Sequence, residues 1–129
     1  MYEKLAYMLR KIGVPPHLVG YDYIIEAIAI CSEDRKAIHS ITKCVYPIIA
    51  RKYASNASRV ERGIRHAITF AFDNGDLNVL YSVFGNTVSF SKGRVTNQHF
   101  IAAVIEILVH EPNHPIFKGS QYEVHKEVS

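Results

Sequence analysis

Apolar residues recur three or four positions apart along most of the chain, which is the spacing of one buried face on an α-helix. The first such series comprises Leu5, Met8, Leu9 and Ile12. It ends at Gly13, and Pro15 forbids its continuation. Similar stop signals divide the rest of the chain. We therefore predict an all-α fold with helices over residues 2–12, 20–32, 40–53, 57–73, 77–84 and 97–110.

The third and fourth predicted helices are separated by only three residues, Ala-Ser-Asn at 54–56. Pro47 lies inside the third helix, and because proline removes a backbone donor we expect a kink or a split there. Two helices joined by a short polar turn are typical of a helix-turn-helix, in which the second helix enters the major groove of DNA.

Residues 85–95 are rich in turn formers and leave room for a short strand. We place the domain at residues 1–110. Residues 111–129 contain two prolines and show weak periodicity, so we expect an irregular or loosely packed tail.

The predicted helix 57–73 is amphipathic on a helical wheel. Its inward stripe consists of Val60, Ile64, Ala67, Ile68 and Ala71. Its outward side carries Ser58, Arg62, Arg65, His66 and Thr69, with Arg59 and Glu61 at the edges. An arginine fork can bind O6 and N7 of guanine together, and Arg62 lies centrally in the half of the helix that usually meets bases. An ordinary surface helix can show the same wheel, so the short turn and the preceding helix are needed for the interpretation.

The distribution of charge strengthens this interpretation. The 129 residues carry a net charge of only +3. Residues 41–72, however, hold six basic side chains against the single acidic Glu61, a net of +5. Such a localised positive field is expected of a phosphate-binding surface, although a solvated basic helix without a partner is the alternative.

Glu61 and His66 each have two interpretations. With Ser58, Glu61 forms an S-x-x-E capping box, yet its carboxylate can also accept a hydrogen bond from cytosine, and the helix can begin earlier, at Asn56. His66 either contacts a phosphate or is a solvated surface residue.

Composition narrows the class of protein. Hydrophobic residues make up 48% and charged residues 21%, which indicates a folded domain, and no apolar run reaches the ~20 residues of a membrane span. The N-terminal segment lacks the apolar core of a signal peptide. Cys31 and Cys44 have no metal-binding spacing, and we expect both to be reduced core thiols of a cytosolic protein.

The string from His110 to His114 matches H-E-x-x-H, the pattern of zinc proteases. That chemistry needs both histidines on one helical face, and Pro112 breaks the helix within the motif. Adventitious metal binding by His110, His114 and His125 is the alternative. We find no triad and no phosphate loop, so we predict neither an enzyme nor a cofactor.

Several strings together resemble one known family. SITK at 40–43, SRVERGIRHAI at 58–68 and FGNTVS at 84–89 closely resemble the C-terminal effector domain of the stage 0 sporulation protein A family. That family comprises the master response regulators of endospore formation in Gram-positive bacteria. The resemblance covers about residues 8–110.

The resemblance implies a six-helix bundle with a helix-turn-helix that binds a TGTCGAA-type promoter box in double-stranded DNA. It implies that Arg62 reads guanine, that Glu61 reads cytosine, and that residues 74–82 contact RNA polymerase sigma factor. The sequence leaves a monomer and a tandem homodimer on DNA as alternatives. The predicted DNA-binding set is Ser58, Arg59, Glu61, Arg62, Arg65, His66, Lys92, Arg94, Thr96 and Asn97. In this set Lys92 and Arg94 hold phosphates, and Thr96 and Asn97 open a helix whose amides favour an anion.

The chain departs from the family pattern in several places. It has no receiver domain, so it is either an excised fragment or a free-standing paralogue, and a paralogue could instead be an interaction module that modulates the full-length regulator or sigma factor. Gly63 replaces a usual alanine, Val95 a proline and His99 an acidic residue. The segment 73–76 is unusually acidic, and the tail from residue 111 has no family counterpart.

Overall fold

The computed structural model describes residues 1–85 and 94–124, and within them every regular element is helical. The six α-helices are α1 Tyr2–Ile12, α2 Val19–Glu33, α3 Tyr46–Lys52, α4 Ala57–Asn74, α5 Leu77–Phe84 and α6 Asn97–His110. The predicted all-α fold is confirmed, and five of the six helices begin and end within one residue of the predicted bounds. The strand considered for residues 85–95 falls mostly outside the described residues.

Helices α2 and α4 approach each other closely through two glycines. A Cβ atom on Gly20 would lie 2.1 Å from the backbone oxygen of Gly63 and 2.8 Å from the Cβ of Ala67. No real side chain tolerates such distances, so glycine at position 20 is what lets the two backbones meet. The fully buried Ile24, Ile64 and Ile68 belong to the core that these helices share with α6.

The third predicted helix is split, as Pro47 indicates. Residues Arg35–Ser40 form a 3-10 helix and Ile41–Val45 a π turn, in which the Tyr46 N–H bonds to the Ile41 carbonyl. A regular α3 then begins with Pro47 in its first turn, where its missing donor costs nothing.

The π turn also affects which residues between 41 and 52 are buried. The buried residues are Val45, Tyr46, Ile49 and Ala50, whereas Cys44 is exposed and Ile48 is 45% exposed. The extra residue in a π turn rotates the next helix relative to a regular continuation. The expectation of two core thiols is therefore wrong for Cys44 and holds for Cys31, which is 1% exposed.

Three of the described α-helices begin at side-chain caps. Asn56 Oδ1 accepts from the Arg59 N–H at 2.9 Å, Asp76 from the N–H groups of Asn78 and Val79, and Thr96 Oγ1 from the His99 N–H. Because Asn56 caps α4, the capping box of Ser58 with Glu61 is wrong, and the earlier start is confirmed. Part of the acidity of segment 73–76 is likewise explained, because Asp76 caps α5.

The tail folds back onto the domain. Residues Pro115–Phe117 form a 3-10 turn whose Ile116 and Phe117 are 4% and 1% exposed. The Tyr7 hydroxyl donates to the Ile116 carbonyl at 2.9 Å, and the Tyr7 and Phe117 rings stack with centroids 6.3 Å apart. Loose packing is therefore the wrong expectation for this part of the tail.

Candidate nucleic-acid interface

Helices α3 and α4 pack against each other and are joined by residues 53–56. The Ser55 N–H donates to the Ala50 carbonyl at 2.8 Å, and Ala54 adopts a left-handed conformation with φ 51°. The Tyr53 ring meets the Tyr23 ring of α2 edge-on at 5.3 Å, which ties the turn to the domain. The unit therefore has the short, fixed turn of a helix-turn-helix.

Helix α4 presents the two faces that the helical wheel predicts. Its buried residues are Val60, Ile64, Ala67, Ile68 and Ala71, which confirms the inward stripe. The exposed residues among its first ten are Ser58, Arg59, Arg62, Arg65 and His66. Five of the ten predicted DNA-binding residues thus lie together on one solvent-facing surface, which we call the basic face of α4.

The ion pair that Arg65 of the basic face forms with Glu61 is weak. Arg65 Nε lies 3.6 Å from Glu61 Oε1, and both side chains are more than one-third exposed. An exposed pair of this spacing stabilises a helix by only ~0.3–0.5 kcal/mol. Within the described residues, Arg59 and Arg62 form no ion pair with a carboxylate. Glu61, Arg62 and Arg65 can therefore turn to a DNA ligand at little cost.

The basic residues 41–72 include two further exposed cations outside α4. Lys43 lies in the π turn and Arg51 lies in α3. Lys52 differs, because its ammonium is hydrogen-bonded to the Glu26 carboxylate of α2. That hydrogen bond raises the pKa of Lys52 above its ordinary value. The Glu26 carboxylate thereby offsets one of the charges counted from the sequence.

The start of α6 lies beside the basic face. Thr96 is exposed, and its cap leaves the N–H groups of Asn97 and Gln98 in the first helical turn, where a helix has no internal acceptor for them. The Asn97 side chain, in contrast, is only 9% exposed and donates to Tyr46 and to the Glu61 carbonyl. Its side chain is therefore used inside the protein, and a DNA contact through its backbone amide stays a prediction.

The remaining predicted phosphate contacts are less well placed. The partly buried Arg94 donates to the adjacent Val95 carbonyl at 2.8 Å, and this bond must break before the guanidinium can turn fully outward. Lys92 lies outside the described residues.

The H-E-x-x-H string does not form a ligand face. Helix α6 ends at His110, and the Ile116 N–H donates to His114 Nδ1. The Nε2–H of His114 is left to donate to the Ser82 carbonyl at 2.9 Å. Both ring nitrogens of His114 are thus occupied, and no group of three potential metal ligands occurs in residues 1–85 and 94–124.

Sequence reasoning missed the contact between Tyr46 and Asn97. Asn97 lies at the start of α6, where sequence patterns predict capping or solvent exposure rather than burial, and Tyr46 lies inside the predicted helix 40–53 but begins α3 in the structure. The one signal in the sequence was the choice of asparagine directly after the capping Thr96, since asparagine is a weak helix former.

A basic, solvent-facing helix that packs on a shorter helix across a fixed turn is the arrangement found in DNA-binding domains of the helix-turn-helix class. Residues 5–108 match the family described as sporulation initiation factor Spo0A C terminal, and the chain belongs to that family. Its members are DNA-binding effector domains that act in transcription regulation, and the family is not a known enzyme family. The match ends before the tail. None of the helices in the described ranges combines the length and the apolar character needed to span a bilayer.

Proposed function

We propose that this protein regulates transcription by inserting α4 into the major groove of a TGTCGAA-type promoter box. The observation that carries the proposal is the exposed row of Arg59, Arg62, Arg65 and His66 on one side of α4. Arg62 donates two guanidinium N–H groups to O6 and N7 of a guanine, and the neighbouring cations bind bases or phosphates.

Glu61 has a distinct part in this proposal. Its carboxylate leaves Arg65 and accepts a hydrogen bond from the amino group of a cytosine. The amides at the start of α6 hold a backbone phosphate, to which Thr96 can also donate. Such a domain acts in the cytoplasm of a Gram-positive bacterium, and two copies bind neighbouring boxes side by side.

Fluorescence anisotropy tests the proposal by comparing a TGTCGAA duplex with a scrambled duplex at near-physiological salt, where non-specific phosphate attraction is weak. We expect the wild type to prefer the box. Arg62→Ala should weaken box binding by ~1–3 kcal/mol, roughly 5- to 150-fold, and reduce discrimination at one guanine.

The matched control is Lys118→Ala, which removes one exposed positive charge from the tail, outside the family match. It should leave the preference for the box unchanged. Equal binding of both duplexes by the wild type would refute sequence-specific reading.

A second candidate function is binding of a protein partner through α5. Leu77 is 65% exposed and Tyr81, one turn further, is 53% exposed, which is unusual for apolar side chains so close together. The resemblance points to sigma factor as the partner, and the full-length regulator is the alternative partner. Pull-down with each purified candidate tests this, and Leu77→Ser should abolish retention if α5 carries the contact.

A further inference from the structure

The amide group of Asn97 connects three helices. Its Nδ2 lies 3.0 Å from the hydroxyl oxygen of Tyr46 and 3.2 Å from the backbone carbonyl oxygen of Glu61. Tyr46 begins α3, Glu61 lies in the second turn of α4, and Asn97 begins α6. One side chain thus contacts both helices of the helix-turn-helix and fixes them to the rest of the domain.

The chemistry of the three groups sets the direction of these hydrogen bonds. A backbone carbonyl only accepts, so the amide nitrogen of Asn97 must face Glu61. The same NH2 group then donates its second hydrogen to Tyr46, whose ring is only 2% exposed. Burial raises the pKa of the Tyr46 hydroxyl, which stays protonated at neutral pH.

The other end of the amide has no such contact. Asn97 Oδ1 is buried and has no hydrogen-bond partner among the described residues. A buried acceptor without a partner is destabilising, and it offsets part of the stability that the two donated hydrogen bonds contribute. The two donated bonds therefore tie the start of α6 to both α3 and α4 through one side chain.

We propose that Asn97 is a positioning residue for sequence reading by α4. It holds the Glu61 carbonyl, and with it the backbone that carries Glu61, Arg62 and Arg65, at a fixed height above α3 and beside the phosphate-binding start of α6. Base contacts need placement of this kind, because hydrogen bonds weaken steeply with distance and angle. The inference rests on the proposed function of α4, and Asn97 itself does not touch DNA through its side chain.

Two variants separate positioning from direct contact. Asn97→Ala removes both donated bonds, and Tyr46→Phe removes only the hydroxyl of a ring that solvent, and therefore DNA, cannot reach. We expect Asn97→Ala to lower the ratio of box to scrambled binding about tenfold and Tyr46→Phe about threefold, with the double variant close to Asn97→Ala alone because the two act through one contact. The salt dependence of binding should stay at the wild-type slope, since no phosphate contact is lost.

The control is Phe117→Leu, a core change in the tail that lowers stability without touching α3 or the start of α6. It should leave the ratio unchanged, which separates positioning from a general loss of stability. An unchanged ratio in Asn97→Ala would overturn the inference. Equal weakening of both duplexes with a smaller salt slope would overturn it too, because it would indicate a direct phosphate contact.

Amide hydrogen exchange of the protein without DNA tests the positioning of α4 independently of DNA binding. We expect faster amide exchange at residues 57–65 in Asn97→Ala and not in Phe117→Leu. If the wild type fails to prefer the box, the proposed function fails, and the exchange result alone then decides whether Asn97 positions α4. Unchanged exchange at residues 57–65 would overturn the positioning role in either case.

Discussion

Adding one methyl group at the contact between α2 and α4 gives a sharp test of the packing. In Gly20→Ala the new Cβ would lie 2.1 Å from the Gly63 carbonyl oxygen, which belongs to the backbone and cannot rotate away. The helices would have to separate by about 1 Å to restore an ordinary contact. Overpacking of this kind costs ~1–3 kcal/mol, and better helix propensity recovers at most ~1 kcal/mol.

We therefore expect Gly20→Ala to lower the free energy of unfolding by about 1–2 kcal/mol, which corresponds to a fall in Tm of roughly 3–8 °C for a domain of this size. Thermal and urea unfolding followed by circular dichroism measure both quantities. The matched control is Gly63→Ala, on the opposite side of the same contact. There the nearest atoms are 3.0 Å away and belong to the ring of Tyr23.

The Tyr23 ring needs to yield by only a few tenths of an ångström, and alanine in a helix interior gains ~1 kcal/mol over glycine. Gly63→Ala should therefore leave stability within about 1 kcal/mol of the wild type. A Gly20→Ala variant as stable as the wild type, or more stable than Gly63→Ala, would refute the close backbone contact between α2 and α4.

Two further predictions concern the cysteines. A thiol reagent such as dithionitrobenzoate should modify the exposed Cys44 rapidly, and the 1%-exposed Cys31 only as the protein unfolds. A Cys44→Ser variant should therefore react slowly in the native state. Fast reaction of that variant would contradict the burial of Cys31. Burial raises the pKa of the Cys31 thiol from 9.0 to about 11, so the unfolded state loses its proton first as pH rises. The free energy of unfolding should consequently fall between about pH 9 and pH 11. Over that range the urea midpoint of Cys31→Ala should decline less steeply than that of the wild type. An equal decline in the wild type and in Cys31→Ala would contradict this prediction.

The helices and the basic face were predictable because both depend on local patterns. The stripe from Val60 to Ala71 repeats at helical spacing, and Thr96 precedes its helix at the capping position. Arg62 and its neighbours are exposed for the same reason that Val60 and Ile64 are buried, since the helical period separates the two sets.

Features that depend on contacts between distant segments were not predictable in this way. The burial of Asn97 depends on Tyr46, 51 residues away, and that of Phe117 depends on Tyr7. Periodicity carries no information about such pairs. The exposure of Cys44 results from a π turn, whose hydrogen bonds span five residues and leave no distinctive pattern of apolar positions.

The π turn at Ile41–Val45 sets the rotation of α3 about its own axis. Each residue of an α-helix advances the chain by about 100°, so a change of one residue in this turn rotates the helix after it by roughly that angle. Deleting one residue there would direct a different side of α3 toward the core and would carry α4 with it. A change of length in this turn would therefore alter the direction of α4 without changing any side chain of its basic face.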